Sequence, residues 1–149
     1  LTISSRLAKL LGGELRVDRG RLRFAGASVR SPAPLVWHGE DSLPWAGGVL
    51  RFVAGAGIGL SRERLLAGGV RIRCRVGGEH LQPHPRRPRR PLKKLLQEAG
   101  VPLARRAVLP LLDCGGELAW AAGVGVDVRF AAAPGEAGVL PIWEPAAGG

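Results

Sequence analysis

The sequence has no methionine and no tyrosine, holds only two cysteines, and gives 5% of its 149 positions to aromatic residues. Each scarcity excludes something. Cys74 and Cys114 form no CxxC pair, and two thiols in a chain of this length make no disulfide framework, so both are expected to be reduced, buried small hydrophobes. So few aromatics argue against a surface that reads single-stranded nucleic acid by stacking, and Trp120 and Trp143, set in apolar strand-like runs, are expected in the core. No apolar run reaches the ~18 residues of a membrane-crossing helix. The opening LTISSRLAKLLGGELR lacks the apolar stretch and cleavage site of a secretory signal, so a cytoplasmic location with no membrane partner is expected. A sequence that opens on Leu1 and has no methionine is expected to be a piece of a longer protein.

Acidic residues are also few: 12 against 22 Lys and Arg, for a net charge of +10. That balance favours a polyanionic partner. The charge is unevenly placed. Residues 1–69 hold 10 basic and 5 acidic side chains, residues 70–106 hold 11 and 2, and residues 107–149 hold 1 and 5. In the middle segment, Arg86, Arg87, Arg89 and Arg90 sit on a loop stiffened by proline, and Lys93 and Lys94 follow at once. So dense a cluster repels itself unless an anion offsets it, and a phosphate backbone meets that need.

Glycine (23) and proline (12) are abundant and aperiodic, and they punctuate many short elements. Leu15–Val17 and Leu22–Phe24 alternate apolar with basic residues around Asp18-Arg19-Gly20, as a hairpin does. A second hairpin is expected from Leu43–Trp45 and Val49–Val53 around Gly47-Gly48, and a third from Leu111-Leu112 and Glu117–Ala121 around Gly115-Gly116. Val70–Val76 reads as the clearest strand, with Val70, Ile72, Cys74 and Val76 on one face and Arg71, Arg73 and Arg75 on the other. Val124–Phe130 and Val139–Trp143 supply two more strands. A short helix is expected over Ser4–Leu11. Another opens with Pro91 at its first position, carries Leu92, Leu95, Leu96 and Ala99 as its apolar stripe, and ends at Gly100. Pro102 opens one more, which Pro110 terminates. These elements predict an α+β fold of short antiparallel strands, hairpins and a few short helices in two small subdomains, with a boundary near Gly68-Gly69.

Enzyme motifs fail on inspection. Gly55-Ala56-Gly57-Ile58-Gly59 has its third glycine misplaced for a dinucleotide loop, and no GxxxxGK[ST] loop occurs. Pro83 and Pro85 exclude the helix that would align His80 with His84 for a metal, and His38 is remote. The carboxylates Glu14, Asp18, Glu40, Asp41, Glu63 and Glu79 are scattered, and no motif pairs a nucleophile with a base, so the sequence holds no catalytic residues and no metal site.

The segment Arg71–Glu79 (RIRCRVGGE), the helix LKKLLQEAGVP over 92–102, the strand LPLL over 109–112 and the GGELAWAAGVGVD hairpin, in that order, resemble the C-terminal region of bacterial tRNA(Ile)-lysidine synthetase over about residues 69–145. LRVDRGRLRF upstream resembles, more weakly, the end of that family's middle domain. The resemblance implies residues 1–68 as the end of the middle, substrate-binding domain with a linker, and 69–149 as the C-terminal tRNA-binding domain. Enzymes of the family use ATP with magnesium to adenylate the wobble cytidine of an isoleucine tRNA and then attach free lysine. Their SGGxDS phosphate loop does not occur here, so this chain alone is expected to be inactive and to need no cofactor of its own. Its partners are expected to be the isoleucine tRNA, at the acceptor stem, and the catalytic N-terminal domain of the same protein. The residues implied in tRNA binding are Arg71, Arg73, Arg75, Arg86, Arg87, Arg89, Arg90, Lys93, Lys94 and Arg105. Two departures stand out: many relatives carry a tryptophan where this chain reads Val101-Pro-Leu-Ala-Arg-Arg106, and their glycine-rich loop is here Pro85-Arg-Arg-Pro-Arg-Arg-Pro91. The alternative reading is a stand-alone basic module for structured RNA, an acidic protein or a membrane surface.

Overall fold

A computed structural model describes residues 31–146, together with the backbone of two strands at 14–18 and 21–25. The helix expected over Ser4–Leu11 lies outside the described residues. The two strands, β1 (Glu14–Asp18) and β2 (Arg21–Ala25), pair antiparallel with Val17 opposite Leu22, as the alternation predicts.

Strand β3 (Leu35–Trp37) is followed by a hairpin of β4 (Ser42–Trp45) and β5 (Gly48–Ala56). Trp45 pairs with Gly48, so the turn residues are Ala46 and Gly47, both at positive φ, and the turn sits one residue earlier than the Gly-Gly pair suggests. Gly48 is needed inside the strand: a side chain there would collide with the backbone at Glu144. Then come β6 (Leu60–Ser61) and α1 (Arg62–Gly68), a helix that the sequence reading missed. Its start is marked by Ser61, whose hydroxyl accepts from the Arg64 amide.

Strand β7 covers only Val70–Arg73, shorter than the expected run to Val76. The ladder partners explain this. Strand β3 flanks β7 as far as Ile72 and the later β10 (Leu111–Cys114) as far as Arg73, and beyond it the Glu79 carboxylate takes the Val76 and Gly77 amides and curls the chain into a turn. Val76 is therefore 85% exposed rather than facing the core. Strands β8 (His80–Leu81) and β9 (Arg90–Pro91) form a two-residue ladder that closes the proline-rich loop. Helix α2 (Leu92–Glu98) follows, with Pro91 as its capping residue, one place earlier than expected. Leu92 and Leu96 are its fully buried side chains and Leu95 packs against the core half-buried. Gly100 leaves the helix at φ +72. Helix α3 (Leu103–Arg106) starts after Pro102. Strands β10 and β11 (Glu117–Ala121) make the expected hairpin, β12 (Gly125–Val126) is short, residues Val128–Phe130 form a 3-10 turn in place of a strand, and β13 (Ala137–Glu144) ends the described fold.

The architecture is α+β and antiparallel. One sheet runs β12-β11-β10-β7-β3 and another β4-β5-β13-β6. Gly68-Gly69, where a boundary is expected, is the end of α1 and its cap just before β7, yet both sheets draw strands from either side of it: β3 pairs with β7, and β5 and β6 both pair with β13. One hydrophobic cluster joins them, holding Trp37, Trp45, Leu50, Phe52, Leu60 and Leu65 with Ile72, Leu96, Leu111, Leu112, Trp120 and Val139. Trp37 meets Phe52 across the two sheets with ring centroids 5.2 Å apart, and the buried Trp45 indole donates to the Val108 carbonyl at 2.7 Å. All four tryptophans belong to or pack against this cluster.

Replacing Leu96 by Ala should cost about 2–5 kcal/mol of stability, the range for a fully buried leucine, and Leu95→Ala should cost less because that side chain is partly solvated. Urea melts of the two variants check this, and equal costs would mean that the helix presents a different face to the core.

Candidate nucleic-acid interface

The expected basic residues fall into two physical groups, with Arg75 between them. Arg73, Arg89 and Arg90 already have carboxylate partners. Arg73 Nε donates to Asp113 at 2.6 Å and its Nη1 to Glu79 at 2.9 Å, with all three side chains mostly buried. Arg89 Nη1 meets the fully buried Asp127 at 2.7 Å. Arg90 makes a two-pronged pair with Glu98 at 2.6 and 2.8 Å, an arrangement that suits guanidinium and carboxylate planes.

Arg71, Arg86, Arg87, Lys93, Lys94 and Arg105 are exposed, and no carboxylate among the described residues lies within ion-pair distance of them. Arg75 is half-buried, and its Nε is buried without a partner among the described residues. Four of the exposed cations are brought together by the β8–β9 ladder. It returns the chain so that Arg86 and Arg87 stand on the loop and Lys93 and Lys94 on the first turn of α2 directly after it.

Glu79 ties this unit to β7. Its carboxylate holds Arg73, while its backbone carbonyl accepts from the Leu92 amide at 2.8 Å, at the start of α2. Burial pushes the Glu79 carboxyl up, but the Val76 amide, Arg73 and the Gly77 amide outweigh it and hold the group below its ordinary range. The turn at Gly77-Gly78 thus joins strand and loop through the glutamate that follows it. Among the described residues no side-chain hydrogen bond or ion pair links Arg71 to the loop: it lies opposite Val36 on β3 and Asp113 on β10. Arg105 sits apart as well, on α3, in the wall of a groove of about 610 Å³ that Val101, Trp120 and Trp143 also line.

The residue that sequence reasoning passed over is Asp127. Burial pushes its carboxyl up, yet Arg89, the Arg129 and Gln82 amides and the Arg129 guanidinium together hold it below its ordinary range. The signal was an acid placed directly after the apolar Gly123–Val126 run, where a charge demands partners.

Burial pushes both thiols up; Cys114 is buried and engaged with the Arg64 carbonyl at 3.2 Å, whereas Cys74 is half-buried rather than buried as expected. Among the described residues no group of three His, Cys, Asp or Glu side chains is placed to hold a metal ion, and no helix is long and apolar enough to cross a membrane.

Comparison with known proteins agrees with the sequence resemblance. The TilS substrate C-terminal domain matches residues 70–143. The tRNA(Ile)-lysidine synthase of Nitrosomonas europaea is 43% identical over 136 residues, covering 89% of this chain and 30% of that protein. Those of Azoarcus sp. and Aromatoleum aromaticum are 41% and 42% identical over 76% and 74% of the chain, and 26% of each relative is covered. The chain thus spans about a third or less of the length of the curated relatives it matches. Through residues 70–143 the chain belongs to the TilS substrate C-terminal domain family, and over most of its length it matches tRNA(Ile)-lysidine synthases.

Proposed function

We propose that this chain is the tRNA-gripping C-terminal part of a tRNA(Ile)-lysidine ligase. In this reading its exposed cations hold the acceptor stem of the isoleucine tRNA, while ATP-dependent adenylation and lysine transfer take place in another domain of the same cytoplasmic protein. The observation that carries the reading is the sorting of the arginines. Arg73, Arg89 and Arg90 are spent on internal carboxylates, whereas Arg86, Arg87, Lys93 and Lys94 face solvent on one loop-and-helix unit, and none of the four is in an ion pair among the described residues. A proline-stiffened loop keeps those charges at fixed spacing, which suits the regular phosphates of an A-form stem, whose deep major groove side chains do not read. Arg71 and Arg105 extend the contact outside that unit.

Phosphate contacts position an RNA without reading its sequence, so this surface supplies affinity and orientation, and discrimination between tRNAs comes from elsewhere in the protein. The test is the affinity of the chain for isoleucine tRNA as a function of salt. Joint replacement of Arg86, Arg87, Lys93 and Lys94 by Ala should weaken binding by about two to three orders of magnitude near 0.1 M salt. It should also flatten the log-log salt slope by somewhat under one unit per lost contact. Other structured tRNAs should lose affinity equally. An unchanged affinity and slope would leave the loop a solvated surface.

A further inference from the structure

We propose that Asp127 is the positioning residue of the RNA-binding loop: its buried carboxylate grips both ends of residues 82–89 and turns Arg86 and Arg87 outward. This rests on the interface proposed above and deepens it. Asp127 is 0% exposed, and each of its oxygens accepts two hydrogen bonds. Oδ2 takes the Gln82 amide at 3.1 Å and Arg89 Nη1 at 2.7 Å; Oδ1 takes the Arg129 amide at 3.0 Å and Arg129 Nε at 3.1 Å. The first two donors are the residues at which the loop leaves and rejoins the domain. A return strap runs from the Val128 amide to the Gln82 carbonyl at 2.9 Å, and Gln82 in turn donates its side-chain amide to the Arg87 carbonyl at 2.9 Å.

The loop needs such a clamp. Pro83, Pro85 and Pro88 have no amide hydrogen to give, the closing ladder is two residues long, and the adjacent Arg86 and Arg87 repel each other with no ion-pair partner among the described residues. A carboxylate with all its lone pairs engaged in a buried site sets direction in a way that a solvated one does not. Arg89 is drawn inward to it. The neighbouring guanidiniums of Arg86 and Arg87 are left facing solvent.

Charge and position make opposite demands here, which separates them experimentally. Asp127→Asn removes a negative charge, so a surface acting by net charge alone would bind RNA as tightly or more tightly. Loss of position should instead weaken binding. The experiment compares the whole chain, Asp127→Asn, Arg89→Lys and the double variant Arg86→Ala with Arg87→Ala. It follows isoleucine tRNA affinity against salt and the rate of tryptic cleavage after Arg86 in the free protein, with circular dichroism to establish folding. For Asp127→Asn we expect faster cleavage and affinity about tenfold lower despite the gained positive charge, with a shallower salt slope because the loop cations no longer reach phosphate together. Arg89→Lys keeps the charge and the buried carboxylate, and should show the same two changes in smaller degree; it decides the matter if Asp127→Asn does not fold. Wild-type affinity and wild-type cleavage in the folded variants would overturn the inference while the double variant still binds weakly. If the double variant itself binds like wild type, the interface falls and the inference with it.

Discussion

Cut back to residues 70–149, the segment that contains the family match, the chain should lose cooperative folding, whereas residues 31–149 should keep it. Strand β13 lies between β5 and β6, so removing the earlier residues strips it of both ladders, and β7 loses β3 in the other sheet. Gone too are Trp37, Trp45, Leu50, Phe52, Leu60 and Leu65 from the common cluster, and with Trp45 the buried bond to the Val108 carbonyl. Each of those side chains is worth a few kcal/mol, against a net stability for such a domain of about 5–15 kcal/mol, so the deficit cannot be met. Near-ultraviolet circular dichroism and thermal melts of the two truncations provide the measurement. A cooperative melt of residues 70–149 within a few degrees of the longer chain would show that both sheets tolerate the loss of their partners.

Arg73→Met should be the most damaging single replacement among the basic residues, costing about 3–5 kcal/mol, the range seen when one partner of a buried ion pair is removed. The side chains of Arg73, Asp113 and Glu79 are 17%, 14% and 5% exposed, so two carboxylates would be left without their cation in a poorly solvated site. Arg90→Met is the control, because its partner Glu98 is well exposed and solvent replaces the lost contact. The pH dependence carries a second signature. Glu79 and Asp127 are held below the ordinary carboxylate range in the folded state. The stability they contribute is fully present above the unfolded value near pH 4 and is lost as the pH falls through the lower folded value. Without Arg73, burial acts on Glu79 with only the amides opposing it, so acidification costs the variant less. Its stability should fall less steeply below about pH 5 than that of the wild type. Parallel acid limbs for the two proteins would mean that Arg73 does not set the Glu79 ionisation.

The elements that could be read from the sequence were those governed by neighbours in the chain. The β1–β2 and β10–β11 hairpins follow from alternation around a tight turn; at Gly115 and Gly116 φ is +59 and +85, values that glycine adopts without strain. Helix α2 follows from leucines at helical spacing with Gly100 beyond them, and the cysteines from the lack of any partner motif. Helix α1 was missed: Ser61 and Gly69 bracket Leu65, but its seven residues carry one buried side chain and the periodic signal is weak. The length of β7 was not legible. Alternation continues to Val76, while pairing stops at Arg73, and pairing depends on where β3 and β10 end.

The same division runs through the interface. Local sequence determined that a dense basic segment exists, that prolines stiffen it, and that its motifs follow the order found in lysidine synthetases. Only the tertiary structure decided which of its cations remain free. Arg73, Arg89 and Arg86 look alike in the sequence. Their fates differ because carboxylates 40 and 38 residues further on, Asp113 and Asp127, are carried by β10 and by the segment after β12 into reach of the first two and not of the third. A charge shows its sign in the sequence, but whether it is neutralised depends on distances that folding alone sets, since ion-pair energy falls off within a few ångströms once solvent intervenes.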